Sequence, residues 1–389
     1  MVNEIDIAFA LLRCSFENPE VSKSRSLDVS LSSKDWWSLF RLMQQNHVAA
    51  LTADAMTNLD VPREVKIPWL AEFEKACRWH RYQQEVQQDI IDTMQKHGIE
   101  TLVLKGTHLS QYYPQPETRE FGDLDLYFYD RHDEADRVAR EVLKVEVSND
   151  AHHHSKYNYR GVTVESHYDF LNTHYPPSNR RYEALLKSLV ANSSPVSGEV
   201  AATRLTEGYT FELLFLLRHM AGHFAASRIT LRDLVDWTLT CKALEDKADW
   251  TLIDKTIEDY GMTDFVTALN TIAERRLGIS RSRCLEVPKS PSLEVSKSRS
   301  LEVPKSPSLE VSKSRSLEVS LVHMVEHDVV YGSVSDSNAD GPSRLFWKLH
   351  RWRALSWKRR LVFNDPPAQL LLTSLTSHAS KPQSILHKQ

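Results

Sequence analysis

Between Thr101 and Tyr129 the chain reads TLVLKGTHLSQYYPQPETREFGDLDLYFY, two short apolar runs with a glycine turn after the first and Asp123-Leu124-Asp125-Leu126 inside the second. Runs this short and this apolar predict buried strands rather than a helix. Gly106 gives the backbone the freedom to turn closely enough for its amides to meet a phosphate, and Thr107 adds a hydroxyl there. Side chains alternate along a strand, so Asp123 and Asp125 leave on one face while Leu124 and Leu126 enter a core. Two carboxylates on one face share Mg²⁺, which favours a few carboxylate oxygens together with substrate phosphates. A pair of such ions clamps the attacking and leaving oxygens of an in-line phosphoryl displacement.

An Asp-x-Asp alone is common on exposed strands and turns. Here it follows Lys105-Gly106-Thr107 and precedes Val162-Thr163-Val164-Glu165-Ser166-His167, a second alternating run with an acid in it. Glu165 is the candidate third metal ligand or base, and His167, two residues on, shares its face and is placed to orient a metal-bound water, a phosphate or Glu165 itself. Lys105 and Arg119 have two readings each: a cation holding a triphosphate, or an ion-pair partner of Asp123 or Asp125.

Lys105-Gly106, Tyr112-Tyr113-Pro114, Arg119 and Gly122-Asp123-Leu124-Asp125-Leu126 resemble, in that order, an uncharacterised bacterial nucleotidyltransferase family of the DNA polymerase β-like nucleotidyltransferase superfamily. Val164-Glu165-Ser166-His167 and the later His219, His223, Arg232, Asp233 and Asp236 continue the likeness, which covers roughly residues 33 to 275. The resemblance implies an α/β (α+β) fold, a polymerase β-like core with a small mixed sheet flanked by N-terminal and C-terminal helical regions. It implies transfer of a nucleoside monophosphate from an NTP to a hydroxyl, with two Mg²⁺ ions held by Asp123, Asp125 and Glu165. Lys105, Gly106, Thr107, Arg119 and His167 then bind the nucleotide. A small molecule, a protein and a tRNA-like RNA all remain open as acceptor. The alternative reading is a catalytically degenerate nucleotide-binding or scaffold protein.

At 389 residues the chain has room for two ordinary domains, and 41% hydrophobic residues suit a packed core. A formal charge of −4 gives no global field for a polynucleotide, so contact with RNA requires a local patch. The N-terminus lacks the basic start of an export signal, and no apolar run reaches the ~20 residues of a membrane span. Cys14, Cys77, Cys241 and Cys284 form no C-x-x-C pair, and a cytoplasmic location is expected.

Five segments are expected. Residues 1–98 read helical, with Ser32 to Asp35 as a cap and a long helix from Trp69 towards His97 ended by Gly98. Residues 99–200 form the core and 201–281 a helical domain. Residues 282–321 repeat an octad such as SRSLEVPK, with a copy at 24–31; each unit has too little apolar surface to offset its ordering, so a disordered insertion is expected. Residues 322–389 hold a helical basic and aromatic segment, RLFWKLHRWRALSWKRRLVF, which either stacks and binds RNA or packs Trp347, Leu349, Trp352, Leu355 and Leu361 onto the preceding helices. His152, His153, His154, His219 and His223 invite a zinc reading, set aside because His219-Met-Ala-Gly-His223 lacks the Glu of a zinc-hydrolase helix.

Overall fold

A computed structural model describes residues 4–16, 31–57, 59–149, 152–191, 194–195, 205–206, 208–279, 307–332 and 350–379. The central strands form a mixed four-stranded sheet of β1 (Leu102–Val103), β2 (Asp123–Tyr127), β3 (His154–Tyr159) and β4 (Val162–His167), in the order β1-β2-β4-β3. β2 and β4 are parallel, so a hairpin cannot join them, and the helix His132–Glu141 lies in the connection. β3 and β4 are antiparallel neighbours joined by Arg160-Gly161, both at positive φ, as a two-residue hairpin turn requires.

The alternation expected for Asp-x-Asp is present. Leu124 and Leu126, with Val162 and Val164, close a core against Val86, Ile90 and Met94 of the helix Arg63–Lys96 and Val138 of the crossover helix. The opposite face carries Asp123, Asp125, Glu165 and His167. Towards it comes the helix Tyr209–Ala226, whose sequence is apolar almost all round because it is buried almost all round. This is the mixed α/β architecture expected, a small sheet between helical regions.

Helix ends follow local chemistry. Ser32 caps Ser33–Gln45 by accepting from the Asp35 amide at 3.3 Å. The long helix starts earlier than its apolar pattern, at Arg63, and stops where Gly98 takes φ 69°. The three helical regions share one apolar core: Leu11 near the N-terminus, Trp36, Trp69, Phe215, Trp237, Val325 and Val362 all belong to it.

The end of the octad array differs from expectation. Pro307–Tyr331 is one helix, which buries Val322, Val325, Val329 and Val330. Pro307 stands at its first position, where a missing N–H is no loss, and no further proline interrupts it. Residues 282–306 of the array and residues 24–30 of its copy lie outside the described residues. The basic segment, described from residue 350, packs. Lys358 is fully buried, donating to Asp328 at 2.6 Å and to the Ser227 carbonyl at 2.5 Å, and Trp357 sets its edge against Phe224. Among the described residues no helix is long and apolar enough to cross a membrane.

Candidate active site

The register of the parallel pair builds the site. Asp125 stands opposite Glu165, and Tyr127 opposite His167, so the same face of two neighbouring strands presents Asp125, Glu165 and His167 together. Ligand atoms of these three lie within 4.8 Å of one another. Asp123 is at the start of β2, partly exposed, and its carboxyl stands outside that group.

Asp125 is the buried centre, 2% exposed. Its Oδ1 meets Lys105 Nζ at 3.0 Å and His167 Nε2 at 3.2 Å. Burial opposes its charge, but the Lys105 ammonium and the His167 hydrogen bond outweigh burial and hold the carboxyl well below the usual carboxylate range. Lys105 also meets His219 Nε2 at 3.0 Å. Burial and the Lys105 charge keep that imidazole neutral, so its lone pair accepts from the ammonium. Of the two readings for Lys105, the ion pair with Asp125 is the contact present.

Glu165 is in a looser setting, with Lys156 Nζ at 3.1 Å and His154 Nε2 at 3.5 Å from Oε1 and His167 Nε2 at 3.8 Å from Oε2. Burial and then the charges of Asp125 and Asp123 push its carboxyl up. His167 turns Nδ1 to the Asp169 carbonyl at 3.1 Å and Nε2 to Asp125, two oxygen acceptors, so both nitrogens are placed to donate.

Gly106 takes φ 62° and ψ −116°, a backbone conformation that favours glycine, and a Cβ there would press on the Phe121 ring at 3.2 Å. Thr107 Oγ1 donates to Gln87 Oε1 at 2.5 Å. Arg119 is tied elsewhere. Its guanidinium is bidentate on Asp236, 2.8 Å to each oxygen, and donates to the Gly106 carbonyl at 3.1 Å, so its partner is neither Asp123 nor Asp125.

A sequence profile of the family described as "Uncharacterised nucleotidyltransferase" matches residues 32–278. The chain belongs to this family. No curated protein and no solved structure matches it. The stretch matched takes in every part of the site above, from Ser32 capping the first matched helix to the turn beyond Leu277, and leaves outside it the octad array and the C-terminal helices.

Two features of this nucleotidyltransferase were not legible beforehand. Arg119 and Asp236 are 117 residues apart, and nothing in spacing joins them. His153, His154 and His167 form a second group whose ligand atoms lie within 4.8 Å, sharing His167 with the first. Burial and the neighbouring His167 lower His153 to about 2 and His154 to about 3, and Nδ1 of each has no hydrogen-bond partner. The antiparallel pairing of His154 with His167 brings them together, a register that sequence alone does not give.

Proposed function

We propose that this protein transfers a nucleoside monophosphate from an NTP to a hydroxyl acceptor. The observation that carries the reading is the pairing of Asp125 with Glu165 across parallel strands beside the Lys105-Gly106 turn. Two carboxylates fit Mg²⁺, a hard cation that takes its remaining ligands from water and phosphate. Asp125 and Glu165 would hold it, with Asp123 at the start of β2 as the further carboxylate on the same face. When bound, two such ions supply charge stabilisation for the attacking and leaving oxygens.

The chain's own groups do the rest. Glu165 takes the proton from the acceptor hydroxyl, whose oxygen forms the new bond to the α-phosphorus. The bond from that phosphorus to the bridging oxygen breaks, and pyrophosphate leaves. Lys105 exchanges Asp125 for phosphate oxygens, and the Gly106 and Thr107 amides face the phosphates with Thr107's hydroxyl beside them. His167 donates to Asp125 and fixes its orientation. Arg119 acts on the nucleotide through the Gly106 carbonyl, which it holds in place.

A second reading, a nucleotide-binding protein without turnover, is favoured by Lys105 standing 3.0 Å from Asp125, where its ammonium answers the charge that metal would. Each NTP, labelled at the α-phosphate, is incubated with the protein and a cell extract in Mg²⁺ and in EDTA. Label transferred only in Mg²⁺ is expected; NTP binding with no transfer to any acceptor selects the second reading.

A further inference from the structure

His219 is taken by Lys105, which donates to its Nε2 at 3.0 Å, but another set of imidazoles meets at the C-terminal end of β4. His154, at the start of β3, stands opposite His167, the last residue of β4, in the antiparallel register. His153 lies in the bend before β3, where strand alternation no longer dictates its side, and its carbonyl accepts from the Tyr168 and Asp169 amides at 3.1 Å each. The three rings are packed together. Their centroids are 4.4 Å apart for His153 and His154, 5.1 Å for His154 and His167 and 5.5 Å for His153 and His167. One ring nitrogen of each lies within 4.8 Å of those of the other two.

Packing alone does not call for imidazoles here. Burying Nδ1 of His153 and of His154 without a hydrogen bond is a cost that apolar rings of similar size do not incur. Burial and the crowding of His167 against them keep His153 and His154 unprotonated, so each ring retains a lone pair. His167 has an acceptor at each nitrogen, Asp125 and the Asp169 carbonyl. To ligate an ion it gives up one and keeps the other, and the acceptor it keeps is the outer contact by which a ligating imidazole is ordinarily oriented. His153 is only partly buried, which leaves the cluster a side for entry.

Ligand type selects the ion. Mg²⁺ takes oxygen, whereas imidazole suits Zn²⁺ and its neighbours among the transition metals. Nitrogens at about 2.0–2.1 Å from a tetrahedral Zn²⁺ are about 3.3 Å apart, so the three rings have to draw together by no more than about 1.5 Å. The surrounding charge favours a cation: Asp123, Asp125 and Glu165 stand beside the cluster against the ammonium groups of Lys105 and Lys156. We propose that His153, His154 and His167 bind a borderline transition cation, Zn²⁺ by preference, with a fourth position left to water. This site shares only His167 with the carboxylate group that suits Mg²⁺. Binding here requires no NTP, so it stands or falls apart from the nucleotide-transfer reading.

Co²⁺ is the probe, because it enters Zn²⁺ sites and absorbs visible light in them. Titrated into the full chain without nucleotide, it is expected to give bands that saturate at one ion per chain, that Zn²⁺ abolishes and that a large excess of Mg²⁺ leaves in place. His153→Gln and His154→Gln are each expected to weaken Co²⁺ about 100-fold or more, since loss of an outer contact alone costs about 10–100-fold. His152→Gln, which changes the adjacent imidazole outside the cluster, and Glu165→Gln are expected to stay within about tenfold of wild type. Absence of bands in wild type, bands kept by His153→Gln or by His154→Gln, or bands lost as completely in Glu165→Gln as in these two each overturn the proposal. X-ray absorption of the Zn²⁺-loaded wild type decides the matter even where a variant does not fold. Three imidazoles at about 2.0–2.1 Å are expected, and a shell with fewer imidazoles and with carboxylate oxygens in their place overturns the site.

Discussion

Two buried ion pairs flank Gly106, Lys105 with Asp125 and Arg119 with Asp236, and they are built to different standards of completeness. The Arg119 pair is closed: both carboxylate oxygens of Asp236 are bonded, Tyr113 adds a hydroxyl at 2.7 Å, and the remaining guanidinium nitrogen is spent on Gly106. Arg119 and Asp236 side chains are 4% and 2% exposed. The Lys105 pair is open. Its ammonium rests on one carboxylate oxygen and one neutral imidazole and is 15% exposed, and close by His153 and His154 each keep an unpartnered Nδ1. A closed pair is a structural brace, whereas an open one is a set of charges waiting to be redistributed by a ligand. The same protein thus separates the cation that holds the turn from the cation that meets the substrate, and the two are fourteen positions apart in the sequence.

The sharpest way to break this contrast is Asp125→Asn. It keeps size while removing the charge on which the ion and Lys105 both depend. Transfer is expected to fall by about 10³-fold or more, about 4 kcal/mol in the barrier, in the Mg²⁺-dependent labelling assay. Thermal stability is expected to fall far less, because Lys105 keeps His219 and partial access to water. Labelling equal to wild type would remove Asp125 from the mechanism.

Arg119→Met is the mirror experiment. It leaves the buried Asp236 without its bidentate partner, with only the Tyr113 hydroxyl at 2.7 Å and Arg232 Nε at 3.9 Å remaining, a change that costs about 3 kcal/mol or more. Urea unfolding is expected to show that loss, and adding Asp236→Leu in the same chain to recover part of it, since two apolar groups no longer strand a charge. A single variant as stable as wild type would mean the brace is not one.

Gly106→Ala tests the turn between the pairs. Its backbone conformation is open to glycine, and the added methyl would press on Phe121. About 1–3 kcal/mol of stability is expected to go, with labelling reduced beyond what the unfolded fraction explains. Full activity at wild-type stability would show that the turn has other solutions.

How far the sequence announces all this depends on the range of the interaction. Alternation is local, so it puts Asp123 with Asp125 on one face and Glu165 with His167 on one face before any strand is paired, and the register of β2 and β4 makes these the same face. The partner of Arg119 is not local, because Asp236 lies on a helix that approaches only after the chain has folded back. The sequence reading of Arg119 is a triphosphate contact or an ion pair with Asp123 or Asp125, and proximity in sequence is a poor guide for a long cationic side chain. Nor did alternation say how far Asp123 lies from the other ligands: it gives a side of the sheet and no torsion angle. The octad array misled for a related reason, since Val322 to Val330, which anchor the helix that its last residues enter, come after the repeat ends.

The smallest expected effect concerns His80, a buried imidazole with both nitrogens unpartnered, on a residue that lines a cavity with Trp79 and Phe121. Burial lowers its pKa from 6.5, Arg119 helps, and Glu117 works the other way without prevailing. In the unfolded chain the same imidazole titrates near its ordinary value, so below about 6.5 the unfolded state binds more protons than the folded one. The contribution to stability is therefore fully present above that pH and is lost as pH falls through the window beneath it. His153, His154, His219 and His223 shift in the same direction, so the wild-type slope alone does not isolate His80. His80→Phe does. The urea midpoint of wild type is expected to drop more between pH 7 and pH 5.5 than that of the variant, whose ring has nothing to protonate. Parallel slopes would mean that His80 is as free to take a proton in the fold as out of it, and the cavity would then be wetter than its unpartnered nitrogens imply.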